Sequence, residues 1–256
     1  MSKRRRFLIT SVVLSLGFLG IQFLTDQNRF LAIGILGVLT AALFTWSLIE
    51  GLGRNMTLLT LILPMFFTLG VGIFWFLLPG SIFARIPIVI FYGVGIYVLS
   101  LTANIYSVAV IRTIALLRAA RGVGFVLTLV TSFLIFDTIL SLRSPIWLTL
   151  PLILSVTFPL FAQGFWSVNL QKEFSGELLG LSAVSSLVVG EIAAALYYWP
   201  VSVVVGSLFL TVAIYIILGL GQAKLEGRLF IATIREYLTV GILVYVAIFF
   251  ATHWGG

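Results

Sequence analysis

The sequence predicts an all-α fold, a polytopic transmembrane helical bundle that occupies the whole chain. Hydrophobic residues make up 61% of the 256 residues and charged residues 9%, and the mean hydropathy is +1.21. The apolar residues form nine continuous stretches separated by short connections. These stretches lack the period of two that a membrane barrel requires, so helices are the structure that satisfies their backbone in hydrocarbon.

We predict about nine spans, with eight as the alternative count, in a single integral membrane domain over residues 1–256. A helix needs about 20 residues to cross a bilayer, so nine spans leave no room for a separate soluble domain. The predicted spans are residues 7–24, 30–50, 57–78, 87–108, 122–142, 146–168, 179–198, 201–220 and 237–253.

The first stretch has the charge pattern of a signal peptide, because four basic residues, 3–6, precede the apolar residues 7–24. It is longer than a usual signal core, and no small-x-small cleavage site follows it. We therefore predict a retained membrane anchor.

The distribution of lysine and arginine predicts the orientation of the spans. If residues 3–6 are cytoplasmic and the spans alternate, twelve of the fifteen basic residues lie on the cytoplasmic side. This asymmetry obeys the positive-inside rule. The amino terminus is predicted to be cytoplasmic and the carboxyl terminus outside, and the three basic residues left on the outer side are Arg29, Arg85 and Arg143.

Two cytoplasmic connections have the composition of helices, residues 109–121 and 222–236. In the second, at 3.6 residues per turn, apolar residues fall on one side and basic residues on the other, as in a helix lying on an anionic leaflet. The basic side chains of both connections are candidates for docking a protein partner or lipid head groups, or they only fix the topology. They are Arg112, Arg118, Arg121, Arg228 and Arg235.

Two carboxyl groups are predicted to lie within spans, Asp137 and Glu191. Ionisable groups in hydrocarbon cost about 2.5 to 3.5 kcal/mol at a helix centre and are candidates for function. By position they lie about 8 Å and about 11 Å below the outer boundary. We expect a shared outward cleft in which at least one carboxyl is protonated, ready to bind a cation, relay a proton or hold a polar head group. The alternative is that each hydrogen-bonds a neighbouring helix or reaches the outer interface.

The fourth and seventh spans carry stripes of polar and small residues. Steps of four and three place the stripe of the fourth span on one helix face, and those of the seventh repeat every four residues. Such stripes most often make helix contacts and only sometimes line a path. The candidate polar site combines the two carboxyls with Tyr97, Ser100 and Asn104 of the fourth span; the stripe there also contains Gly93 and Ser107, and that of the seventh contains Ser182, Ser186, Gly190 and Ala194.

Several activities are excluded by missing motifs. The chain has no cysteine and one histidine, His253, and it contains neither a GxxxxGK[ST] phosphate loop nor an HExxH zinc motif. We therefore predict no catalytic, cofactor-binding or metal-binding residues and no enzyme activity. The net charge of +7 does not indicate nucleic acid, because the basic residues lie in short connections rather than on a soluble surface.

Three segments of the chain are distinctive together: VAVIRTIALLRAARGVGFVLTL from Val108, WPVSVVVGSLFL from Trp199 and GRLFIATIREYL from Gly227. They resemble a family of uncharacterised multi-spanning bacterial membrane proteins. The resemblance implies a bacterial inner membrane and no assigned activity.

These observations favour a multi-pass protein of the bacterial cytoplasmic membrane that acts as a non-enzymatic subunit or scaffold of an envelope assembly. Its partners would be the lipid bilayer and another membrane protein or a second copy of itself. The alternative is a transporter of a small solute, ion or lipid that uses Asp137 and Glu191. A third candidate, an intramembrane lipid-modifying enzyme, lacks a recognisable constellation of polar groups.

Overall fold

The computed structural model describes residues 3–21, 23–24, 26–49, 54–77, 82–109, 116–170 and 175–252. Within these ranges the chain forms nine α-helices and no β-strand, which confirms the predicted all-α bundle. The helices are α1 (Lys3–Ile21), α2 (Asp26–Leu48), α3 (Arg54–Phe74), α4 (Ile82–Ala109), α5 (Leu117–Ser141), α6 (Ile146–Asn169), α7 (Gly176–Tyr197), α8 (Val203–Leu225) and α9 (Ile231–Ala251).

Eight of the nine described helices, α2 to α9, are long and apolar enough to cross a membrane. The exception is α1, whose first four residues, 3–6, are all basic. Its apolar part, residues 7–21, is about 22 Å long at about 1.5 Å per residue. This is shorter than a hydrocarbon core of about 30 Å. The structure thus favours the alternative count of eight full-length spans.

The chain divides into two compact units. The first contains Met1–Thr131 and Leu170–Glu173, and the second contains Ser132–Asn169 and Phe174–Gly256. The boundary falls within α5, so each unit contains one part of this helix.

In the first unit, α1 packs on α2 and α4, and α3 packs on α2 and α4. Aromatic side chains fill its core. The rings of Phe67 and Tyr92 are stacked with centroids 6.0 Å apart, and Phe18 meets the edge of Trp75 at 5.3 Å. Phe18, Phe67 and Tyr92 are buried, and buried rings of this size contribute much of the packing energy of a core.

In the second unit, α6 packs extensively on α7, α8 packs on both of them, and α9 packs on α8. Two residues of the small-residue stripe on α7, Ser186 and Gly190, lie against α6, in the close packing that the sequence predicted for this stripe. The hydroxyl of Ser186 lies 2.6 Å from that of Thr157, and a Cβ at Gly190 would lie 2.9 Å from a methyl carbon of Leu154. Small residues let the two backbones approach closely.

The predicted amphipathic helix over residues 222–236 is interrupted. Helix α8 ends at Leu225, and Gly227 has a left-handed φ of 69°. The amide of Arg228 donates to the carbonyl of Ala223 at 2.8 Å, and that of Gly227 donates to Lys224 at 3.0 Å. This pair of bonds is a Schellman motif, which closes a helix and turns the chain away from its axis. Residues 231–236 therefore belong to the first turns of α9.

Residues 110–115 of the predicted connecting helix over residues 109–121 lie outside the described residues, so this helix stays a prediction. Helix α4 ends at Ala109 and α5 begins at Leu117, so Arg118 and Arg121 lie in the first turns of a spanning helix. Arg112 lies outside the described residues, as do Lys172 and His253.

Candidate functional site

The carboxyl group of Asp137 is buried in the second unit. Its side chain is 5% exposed on α5, and its Oδ1 lies 3.2 Å from the hydroxyl of Ser207 on α8, which donates to it. Ser207 follows the first turn of α8, so the contact joins the end of one helix to the beginning of another. This carboxyl has the helix-to-helix hydrogen bond that the sequence left as an alternative to a functional role.

The carboxyl group of Glu191 has the opposite environment. Its side chain is exposed on α7 and forms no hydrogen bond or ion pair within the described part of the chain. The flanking residues on this face are apolar, with Val184 60% exposed and Leu187 56% exposed. Asp137 is thus enclosed by protein, whereas Glu191 lies on an exposed and otherwise apolar surface.

The three polar residues of the predicted site on α4 belong to the first unit, and the two carboxyls belong to the second. Ser100 is fully buried, and its hydroxyl donates to the carbonyl of Ile96 on the same helix at 2.9 Å. Tyr97 and Asn104 are half-buried. Their roles stay a prediction.

A buried hydrogen-bonded cluster in the first unit was not predicted from the sequence. The hydroxyl of Thr68 on α3 lies 3.0 Å from that of Thr40 on α2 and 3.1 Å from that of Tyr92 on α4. All three side chains are fully buried. The signal was a threonine in each of two apolar spans and a tyrosine in a third, but no spacing within one span shows that they meet. This Thr–Thr–Tyr cluster ties three helices together.

A cavity of about 400 Å³ lies between the end of α5 and the connection from α7 to α8. Its polar lining is Arg143, Tyr197, Trp199 and Ser202, and Leu140 lies at its edge. We call it the Arg143 cavity. Leu140 is one helical turn from Asp137, so the buried carboxyl lies beneath this cavity and does not line it. The sequence signal was an isolated arginine between two spans.

A second depression of about 350 Å³ lies on the surface formed by α7, α8 and α9. Val188 and Ile192 of α7 form one wall, Leu238 and Ile242 of α9 form the other, and α8 forms the floor. Tyr245 provides the one hydroxyl among its lining residues. We call it the α7–α9 groove. Val188 is also one turn from Glu191, so the groove borders the exposed carboxyl face.

The described basic candidates lie at helix ends or in connections. Arg118, Arg228 and Arg235 are exposed, and Arg121 is half-buried. The guanidinium of Arg228 lies 3.7 Å from the carboxylate of Glu226. An exposed pair at this distance contributes little to stability, about 0 to 1 kcal/mol. Their role in docking head groups or a partner stays a prediction.

Among the described residues, no group of three or more His, Asp or Glu side chains is placed to hold a metal ion. The groups that are present can form hydrogen bonds, pack against apolar chains and, through the arginine side chains, attract anions.

Comparison with known proteins gives one match. No curated protein and no solved structure matches the chain. The family described as "Protein of unknown function (DUF5656)" matches residues 9–251, a region that includes nearly all of the nine helices, the Arg143 cavity and both carboxyl groups. The chain therefore belongs to the DUF5656 family.

Proposed function

We propose that this chain is a non-enzymatic subunit of an envelope assembly in the bacterial cytoplasmic membrane. In this proposal, the face of α7 that carries Glu191 and the adjoining α7–α9 groove bind a transmembrane helix of a partner protein. The observation that carries it is the exposed carboxyl of Glu191 on an otherwise apolar face.

The energetic argument starts from the surroundings of this carboxyl. An ionisable side chain facing hydrocarbon costs about 2.5 to 3.5 kcal/mol near a helix centre. No described residue of the chain donates a hydrogen bond to Glu191 to offset this cost. A partner helix with a basic side chain or a hydroxyl or amide donor at the same depth would supply the missing bond.

The shape of the surface supports a helix as the partner. The α7–α9 groove is open and apolar, and its floor on α8 is bordered by Gly241 of α9. Most side chains of α9 are exposed, including Ile242 and Leu243, both 63% exposed. An apolar helix lying in the groove would cover part of α9 and would bring its own polar side chain beside Glu191.

Affinity purification from the native host tests this proposal. The tagged chain is expressed at its natural level, extracted in nanodiscs or mild detergent, and its partners are quantified by mass spectrometry against an untagged control. We expect a stoichiometric membrane-protein partner. Glu191→Gln should reduce its recovery several-fold, and Glu191→Leu should reduce it further, because leucine offers no hydrogen-bonding group.

A matched control is Glu177→Gln. Glu177 is an exposed glutamate of the same helix, but it lies in the first turn of α7, at the opposite end from the groove residue Ile192. Its substitution should leave partner recovery unchanged. Two results would refute a role for this face in assembly. One is recovery of the chain with bound lipid but no protein partner, and the other is equal recovery of the partner with the Glu177 and Glu191 variants.

A second candidate function is transport of a small solute, ion or lipid, and the observation that favours it is the position of Asp137 one turn below the Arg143 cavity. An ionisable group beneath an opening can exchange a cation or proton. Flux into proteoliposomes that is abolished by Asp137→Asn and retained in Glu191→Gln would support it. Absence of flux of protons and common cations in the unmodified protein would count against it.

A further inference from the structure

We propose that the Arg143 cavity binds a phosphate group, either the head group of an anionic phospholipid or a free phosphate. The two sources share one chemistry, a tetrahedral anion that accepts several hydrogen bonds. This site is separate from the α7–α9 groove, and its test does not depend on whether an assembly partner exists.

The charge of the cavity favours an anion. Arg143 forms no ion pair within the part of the chain that the structure describes, and no aspartate or glutamate lines the cavity. A guanidinium is always protonated and presents a planar set of donors that matches two oxygens of a phosphate. An arginine in this setting is available for a ligand, because no described carboxylate competes for it.

The backbone holds Arg143 and the opposite wall in place. Arg143 has a φ of 47°, a left-handed conformation that is uncommon for residues other than glycine, and its amide donates to Leu140 at 3.2 Å. On the other wall, the amide of Trp199 donates to Leu196 at 3.0 Å, and that of Val201 donates to Trp199 at 2.8 Å. These bonds fix both connections, so the cavity is largely formed before a ligand binds.

Further donors lie on the wall opposite Arg143. Ser202 is the residue that precedes α8, and its hydroxyl makes no capping hydrogen bond to the helix. Val203, the first residue of α8, also lines the cavity. The hydroxyl and the positive end of the helix dipole complement the guanidinium across the cavity. A phosphate between them would contact donors on two sides.

The remaining lining fits a head group at the membrane interface. Tyr197 and Trp199 line the cavity, and aromatic residues of these two types concentrate at the level of lipid head groups. The volume of about 400 Å³ lies within the range of small-molecule sites. Leu140 and Val201 provide an apolar edge along which an acyl chain could continue.

Lipid retention tests the proposal. The full chain in neutral detergent is equilibrated with equal amounts of phosphatidylglycerol and phosphatidylcholine of identical acyl chains, and bound lipid is counted by native mass spectrometry. We expect a clear preference of the unmodified protein for phosphatidylglycerol. Arg143→Gln should lower this preference at least about fivefold, because it removes the charge and the paired donors. Arg143→Lys should retain part of it.

The matched control is Lys224→Gln, which removes an exposed basic side chain at the end of α8, outside the cavity. Its preference should equal that of the unmodified protein. The helical content and thermal midpoint of each variant are measured so that a loss of binding is not a loss of folding. An unchanged preference in Arg143→Gln would overturn the proposal, as would equal loss in both variants.

The source of the phosphate follows from a competition arm. Sodium phosphate is added at constant ionic strength, with sodium chloride as the reference. If phosphate leaves bound phosphatidylglycerol unchanged, the ligand is a lipid head group. If phosphate displaces it in the unmodified protein, the site takes a soluble phosphate. An unmodified protein with neither lipid preference nor phosphate binding would refute the site.

Discussion

The buried Thr–Thr–Tyr cluster of the first unit predicts a measurable coupling between two side chains. Four short contacts involve its hydroxyls: Thr40 to the carbonyl of Leu36 at 2.8 Å, Thr68 to that of Pro64 at 2.9 Å, Thr40 to Thr68 at 3.0 Å and Thr68 to Tyr92 at 3.1 Å. Three hydroxyls carry three protons, so at most three of the four contacts are hydrogen bonds at any moment. Thr68 accepts from Tyr92 in any arrangement in which Thr68 donates to Pro64.

The magnitude follows from what each substitution leaves behind. Tyr92→Phe removes one hydrogen bond and should lower the free energy of unfolding by about 0.6 to 1.5 kcal/mol. Thr68→Val should lower it by about 1 to 3 kcal/mol, because it leaves the buried hydroxyl of Tyr92 without this acceptor. The double variant contains no such stranded hydroxyl. Its loss should therefore be smaller than the sum of the single losses by about 1 kcal/mol.

The assay is equilibrium unfolding in mixed micelles as the mole fraction of denaturing detergent rises, followed by tryptophan fluorescence. Thr45→Val serves as the control, since the hydroxyl of Thr45 is half-buried and donates within its own helix to Ala41 at 2.8 Å. It should change the free energy of unfolding little. If the losses of Thr68→Val and Tyr92→Phe add within about 0.3 kcal/mol in the double variant, the cluster is not a coupled unit.

Four further substitutions test the packing of the units and the hydrogen bond of Asp137. Gly95→Ala should destabilise the protein by about 1 to 3 kcal/mol in the same assay, because its Cβ would clash with the ring of the fully buried Phe67. Gly34→Ala, in a helix position with nothing within 4 Å, should be neutral or stabilising by up to about 1 kcal/mol, and equal losses in the two variants would contradict this packing. Asp137→Asn should retain the contact with Ser207 and unfold near the unmodified protein, whereas Asp137→Leu should lose at least about 1 kcal/mol; identical stabilities would show that the hydrogen bond contributes nothing.

The existence and type of the helices could be predicted from sequence because they depend on local properties. A run of about 20 apolar residues has one stable form in hydrocarbon, and its neighbours in space do not change that form. The break at Gly227 was also a local signal. The amphipathic pattern of residues 222–236 continues across it, but a glycine that adopts a positive φ outweighs such a pattern, and the Schellman bonds then close α8.

The candidate site was less predictable because it depends on which face of each helix turns inward. Asp137 and Glu191 have similar apolar sequence surroundings, yet one is buried beside α8 and the other is exposed. On α4 the predicted stripe contains Tyr97, whereas the tyrosine whose hydroxyl contacts Thr68 of α3 is Tyr92. A rotation of about 140° around the helix separates these two positions. The rotation of each helix depends on the helices that pack against it. The sequence alone does not show which helices those are.

The short apolar length of α1 has a consequence for the membrane around the first unit. Its apolar part, residues 7–21, is about 22 Å long, while its neighbours α2 and α4 contain apolar spans of 21 and 24 residues. The bilayer beside α1 must thin locally, or the basic residues 3–6 must extend their side chains towards the head groups. This hydrophobic mismatch differs from one side of the unit to the other. The stability of the unit should therefore depend on the acyl-chain length of the lipids. Lipids with shorter acyl chains should be preferred beside α1.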